Sequence, residues 1–207
     1  MKPIECYNAL LGQKLTEEFE KRNMEGFYCE TKEAALKKVL ELIPEGSTVS
    51  CGGSATLREI DLRAALKNGG YNFLDPDDAK GAASKDKVAH EALGADYYLM
   101  SANAVTAAGE LVNIDGYGNR VSSLIFGPKN VIVIAGLNKV EPSLDAAVLR
   151  AKKYAAPLTL LLFKQDYPSF DELSKAAEAA CSQLVITAFS ATKGRIKVIL
   201  VGESLGF

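Results

Sequence analysis

Near the start of the chain Leu11, Leu15, Phe19 and Arg22 recur at helical spacing, with mixed charges between them. That period predicts an amphipathic helix over residues 8–23, laid against the rest of the fold. A short apolar run at 26–29 reads as a strand. Thr31 then suits an N-cap, and Leu36, Val39, Leu40 and Ile43 form the stripe of a second helix that Pro44-Glu45-Gly46 stops. From here the pattern alternates. Strand-type runs at 47–51, 71–74, 95–101, 110–114 and 130–135 are separated by helical patterns at 55–67, 85–93 and 121–126. The run at 130–135 is apolar throughout, as a strand buried on both faces would be. A helix over 143–154, a buried strand over 158–163, a helix ending at Cys181 and strands over 184–189 and 195–201 complete the reading.

This alternation predicts an α/β fold: a mostly parallel sheet with helices on both faces. The 207 residues contain no repeat or low-complexity linker, so one domain over 1–207 is expected, with 1–24 as an N-terminal helix packed on it. Apolar residues at 48% and charged residues at 24% are enough for an ordinary core and surface. A net charge of −2 without a basic cluster argues against nucleic acid as a partner. No run approaches the roughly 20 apolar residues of a bilayer span, and Met1-Lys2-Pro3-Ile4-Glu5 lacks a secretory pattern, so no membrane partner and a cytoplasmic location are expected. Cys6, Cys29, Cys51 and Cys181 show no C-x-x-C spacing and read as reduced thiols; no metal and no cofactor is expected.

Two segments carry candidate chemistry. In Gly52-Gly53-Ser54-Ala55-Thr56 a strand ends in two glycines and a hydroxyl residue before a helix. Free backbone N–H groups at such a turn, with a helix dipole behind them, suit an anion. The plainer alternative is a tight strand–helix turn with Ser54 as N-cap. The second segment runs from Ser101-Ala102-Asn103 through Asn113-Ile114-Asp115-Gly116 to Asn119-Arg120. It follows predicted strands, whose C-terminal ends are where open α/β sheets bind ligands. Asn103, Asn113 and Asn119 offer amide donors and acceptors, Asp115 is the one carboxylate among them, and Arg120 offers a fork for an anionic oxygen pair. Asn and Gly also simply make turns, which is the competing reading. Lys139, after the apolar strand, suits either an anionic ligand or solvent. Cys51 reads as a buried thiol, Cys181 as a packed helical one, and the lone His90 as an exposed side chain.

The run from Ser101 to Val140, with SCGGSATLREI before it and GRIKVILVGESLGF after it, resembles the lactate-utilisation (LUD) family, in its LutC/YkgG-like group. The resemblance implies the fold shared by ribose-5-phosphate isomerases, glucosamine-6-phosphate isomerases and CoA transferases. It also implies a place in the oxidation of L-lactate, beside Fe–S or flavin proteins as partners, and assembly as a homodimer. Methylthioribose-phosphate isomerases are more distantly similar at Ser101-Ala102-Asn103, Gly109, Asn113 and Gly116. There the carboxylate thought to act as acid/base corresponds to Asn103, and an amide cannot exchange a proton near neutral pH. Asp115 is then the nearest substitute in sequence. Many single-domain members of the family carry a cysteine-rich segment of which only Cys181 remains here.

The expected function is therefore the binding of a small anionic metabolite (an organic acid, a sugar phosphate or a CoA-like molecule) by an accessory or regulatory protein of lactate utilisation. The alternative is an isomerase- or transferase-like enzyme acting on a phosphorylated sugar or an acyl-CoA, with Asp115 as its catalytic group.

Overall fold

The computed structural model describes residues 2–163 and 166–207. In chain order the elements begin with α1 (Pro3–Lys21), β1 (Glu25–Cys29), α2 (Lys32–Leu42), β2 (Thr48–Cys51), α3 (Ala55–Glu59), α4 (Leu62–Asn68), β3 (Asn72–Leu74) and α5 (Ala82–Ala92). They continue with β4 (Tyr97–Met100), β5 (Ala104–Thr106), β6 (Leu111–Asp115), α6 (Asn119–Ile125), β7 (Asn130–Gly136), β8 (Val140–Glu141) and α7 (Leu144–Arg150). The last are α8 (Ala156–Phe163), α9 (Phe170–Ala180), β9 (Gln183–Thr187) and β10 (Ile196–Val201).

Six strands form a parallel sheet in the order β1-β10-β7-β4-β2-β3. Its centre is buried on both faces because successive side chains of a strand point to opposite sides. Along β7, Val131, Val133 and Ala135 enter one core with Leu15 and Phe19 of α1 and Leu124 of α6. Ile132 and Ile134 enter the other with Val39 of α2, Leu57 of α3 and Leu66 of α4. The mostly parallel sheet with helices on both faces is therefore present as read from the sequence. No helix among the described residues is long and apolar enough to cross a membrane.

A smaller sheet, β8-β5-β6-β9, sits beyond the C-terminal end of β4. The chain leaves the large sheet through Ser101-Ala102-Asn103, enters β5, and returns along antiparallel β6. The hairpin closes at Gly109, whose φ of +87° is costly for any residue with a Cβ; a Cβ there would also stand 3.1 Å from the backbone of Glu18.

Two segments depart from expectation. The helix read as 55–67 is broken at Asp61, which adopts the left-handed conformation (φ 55°) that Asp tolerates better than most residues. The break lets Leu57, Ile60, Leu62 and Leu66 all reach the core. The run read as a buried strand over 158–163 is instead helical. It continues from α7 through a π-helical turn, Ala151–Ala155, in which the N–H of Ala156 bonds to the carbonyl of Ala151. The widened turn precedes Pro157, which lacks an N–H and whose ring crowds the carbonyl four residues back in a regular helix.

Candidate functional site

Because β2, β4 and β7 are neighbours in the sheet, the segments leaving their C-terminal ends emerge side by side. These are the glycine turn 52–56, the crossover 101–103 and the short 3₁₀ turn Leu137–Lys139. Between them and the start of α6 lies a cleft of about 450 Å³, and α8 forms its far wall. Of the residues singled out in the sequence, Gly53, Ser54, Ala55, Thr56, Asn103, Asp115, Gly116, Asn119, Arg120 and Lys139 line this cleft. Gly52 and Asn113 do not. A Cβ on Gly52 would stand 3.1 Å from the Arg120 side chain and 3.2 Å from the Tyr98 hydroxyl, so this glycine serves close packing. Asn113 is fully buried, and its Nδ2 has no hydrogen-bond partner among the described residues.

Arg120 does not present a free fork. One terminal nitrogen donates to the Ser101 carbonyl at 3.1 Å and to Asn113 Oδ1 at 2.6 Å. The other donates to Asn103 Oδ1 at 3.0 Å and to the Ile114 carbonyl at 2.5 Å. Its Nε lies 3.8 Å from the Asp115 carboxylate. Burial lowers the guanidinium pKa, and the Asp115 charge opposes that shift. Arg120 thus ties the crossover out of β4 to the end of β6.

Asp115 is equally committed. Oδ1 accepts the N–H groups of Tyr117 (3.0 Å) and Gly118 (2.8 Å), and Oδ2 accepts that of Val121 (3.2 Å). The carboxylate closes the turn from β6 into α6 and satisfies donors at the helix start. Asn103 is held through its oxygen, which accepts from Ile114 N–H at 2.9 Å and from Arg120. Two donors on one atom fix the amide orientation, and its NH₂ has no partner among the described residues.

Lys139 is the unexpected member. The residue is only 3% exposed, and its ammonium donates to Thr56 Oγ1 (3.0 Å), Ser101 Oγ (3.0 Å) and the Ala102 carbonyl (3.3 Å). Among the described residues no carboxylate lies within ion-pair distance of it. The other two cations nearby have partners: Arg120 faces Asp115, and Arg150 faces Glu141 at 3.6 Å. Desolvation, followed by the charges of Arg150 and Arg120, pushes the Lys139 pKa down to about 7, with Glu59 working the other way. The two hydroxyls that receive its protons have poor acceptors for their own. Thr56 reaches the Leu205 carbonyl at 3.4 Å and Ser101 the Ala102 carbonyl at 3.3 Å, long for O–H···O bonds.

The glycine turn contributes less than its sequence implied. Ser54 is the N-cap of α3, accepting Leu57 N–H at 3.4 Å. With five residues, α3 has little dipole to direct at an anion. Ser101 opens the second candidate segment, but nothing in the sequence marks it as a neighbour of Lys139. The apolar wall (Leu160, Leu162 and Phe163 of α8) was assigned to a buried strand. Outside the cleft, Cys51 is buried and its thiol pKa is pushed up to about 12 by desolvation. Cys181 donates to the Ala177 carbonyl within its helix, and His90 is exposed.

The crystal structure of a DUF162 family protein from Deinococcus radiodurans has the same fold, with a TM-score of 0.55 at 12% identity over 94% of this chain and 98% of that one. Ribose 5-phosphate isomerase A from Methanocaldococcus jannaschii matches at a TM-score of 0.35 and 18% identity, over 55% of each chain. The eIF2B-beta2-delta2 complex from Chaetomium thermophilum matches at 0.42 and 16%, over 84% of this chain and 56% of that one. These two likenesses are too slight to carry an argument. No curated protein matches the chain. The sequence profile of the LUD domain matches residues 12–201, nearly the whole length, and the chain belongs to the LUD domain family.

Proposed function

We propose that the protein binds a small anionic metabolite in this cleft, as an accessory or regulatory component of lactate utilisation. The observation that carries the reading is Lys139: a buried ammonium at the cleft floor whose partners are all neutral. Buried charges are ordinarily paired, and an unpaired one is costly. An anion in the cleft supplies the missing charge. It need not displace the lysine's own hydrogen bonds, because Ser101 accepts from the ammonium and can turn its proton toward the ligand. The Asn103 amide adds a neutral donor from the side.

The enzymatic alternative rests on the same lysine rather than on Asp115, whose oxygens hold the turn into α6. An amine with a pKa of about 7 is suited to general-base work on a carbonyl or hydroxy compound. Binding without turnover separates the two readings.

The test is a thermal-shift panel of lactate, pyruvate, sugar phosphates, acyl-CoA esters and longer carboxylates, on the wild type and on Lys139→Met. A ligand at 100 times its Kd stabilises the fold by about 2.7 kcal/mol. The expected result is a shift with at least one anion that Lys139→Met loses. A panel that shifts neither protein, or both alike, refutes the anion site.

A further inference from the structure

The cleft has two walls of opposite character. The floor carries Lys139, Thr56, Ser101 and Asn103. The roof is α8, whose sequence Ala-Pro-Leu-Thr-Leu-Leu-Leu-Phe is apolar at every position but one. A helix apolar all round belongs in a core, yet only Ala156 and Pro157 are buried here. Leu160, Leu162 and Phe163 line the cleft instead, with Leu162 37% and Phe163 65% exposed. The tip of the Phe163 ring stands 3.5 Å from where a Cβ on Gly53 would be, so the apolar overhang faces the glycine turn directly.

Size points the same way. At about 450 Å³ the cleft falls within the range of sites for drug-sized ligands, roughly 300–1,000 Å³. A water takes about 30 Å³ of liquid volume, so a three-carbon acid, comparable to a few waters, leaves most of the space empty. The hydroxyls of a sugar phosphate would face leucines.

We infer that the ligand is an amphiphilic monocarboxylate: a singly charged head at the Ser101 hydroxyl beside Lys139, and an aliphatic or aromatic body of several carbons against Leu160, Leu162 and Phe163. One unpaired cation matches one negative charge. This inference rests on the anion-site reading and narrows it, with lactate and pyruvate only partial occupants.

The experiment is titration calorimetry of the full chain with straight-chain carboxylates from propanoate to octanoate. 1-Octanol is the headless control, and the proteins are wild type, Phe163→Ser and Lys139→Met. Phe163 is mostly exposed, so its replacement leaves the core intact. Each added methylene is expected to tighten Kd about fourfold until the cleft is filled. Phe163→Ser flattens that gradient at its long end without weakening propanoate, and Lys139→Met weakens every carboxylate. A Kd independent of chain length overturns the amphiphilic ligand and leaves the anion site standing. Octanol binding as tightly as octanoate, or an unaffected Lys139→Met, removes the anion site and with it this inference. Absence of binding at every length removes both.

Discussion

Replacing Lys139 with Met tests whether the cleft floor is dry. The substitution keeps an unbranched apolar stem and removes the ammonium from its cage of Thr56, Ser101 and Ala102. A drop in pKa from 10.5 to about 7 corresponds, at about 1.36 kcal/mol per unit, to an upper figure of about 5 kcal/mol for holding the protonated form in the fold. Below pH 7 folded and unfolded chains are both protonated at this site, and the cost is at its full value. Between about 7 and 10.5 the unfolded chain holds a proton that the folded chain has released, so wild-type stability from this group rises with pH. The Met variant lacks that rise. In urea unfolding at a series of pH values it should exceed the wild type in stability at pH 6–7, with the gap narrowing by roughly 3 kcal/mol between pH 7.5 and 9.5. Taking the difference between the two proteins cancels the other titrating groups common to both. A gap that stays constant from pH 6 to 10 would mean a hydrated lysine of ordinary pKa, and the charge argument for the cleft would fall. The sign reverses once an anion is bound. An anion favours the ammonium, so affinity should fall about tenfold per pH unit above 7, with proton uptake on binding visible by calorimetry in buffers of different ionisation enthalpy.

Three further outcomes follow from the same geometry. Arg120→Lys loses the planar fork that reaches four oxygens on Ser101, Asn103, Asn113 and Ile114, and should cost about 3–5 kcal/mol in denaturant unfolding; normal stability with lost ligand binding would return Arg120 to the role of an anion fork. Asp115→Asn keeps one acceptor oxygen for Tyr117 and Gly118 but gives up that for Val121, so a loss of about 1–3 kcal/mol is expected on melting, with Kd for a cleft ligand within a few-fold of wild type; abolished turnover in a protein of unchanged stability would identify it as the acid/base group instead. With a disulfide reagent at pH 8, exposed Cys6 should react at once and Cys181 more slowly, while Cys29 and Cys51 should wait for unfolding; fast labelling of Cys51 in the folded protein would contradict its burial.

The parallel core was legible because its signal is local. The apolar run of β7 and the stop at Pro44-Glu45-Gly46 follow from short-range periodicity and turn chemistry. Residues 158–163 misled for an equally physical reason. A six-residue apolar run fits a buried strand and a helix alike, and Pro157 reads as a break when its π-turn is unseen. The glycine turn and the asparagine segment were readable as separate candidates; their convergence was set by sheet order. Thr56, Ser101 and Lys139 lie 83 and 38 residues apart along the pairs that now hydrogen-bond, and only the adjacency of β2, β4 and β7 joins them. Lys139 between Asn138 and Val140 carries no mark of burial, because burial there comes from the Leu205-Gly206 segment crossing above Thr56.

The positive groups around the cleft divide their labour in a way charge counting alone would miss. Arg120 has the geometry to grip a carboxylate, but its fork is filled by protein oxygens, including the backbone carbonyl of Ser101 and the side chain of Asn103. By holding both it fixes the Ser101 backbone and the direction of the Asn103 NH₂. Lys139 has the opposite character: its three hydrogen-bond partners are all neutral, and burial lowers its pKa. A protonated Lys139 is a cost that its neutral partners do not offset. That cost, more than the presence of a cleft, is the basis of the proposed anion site.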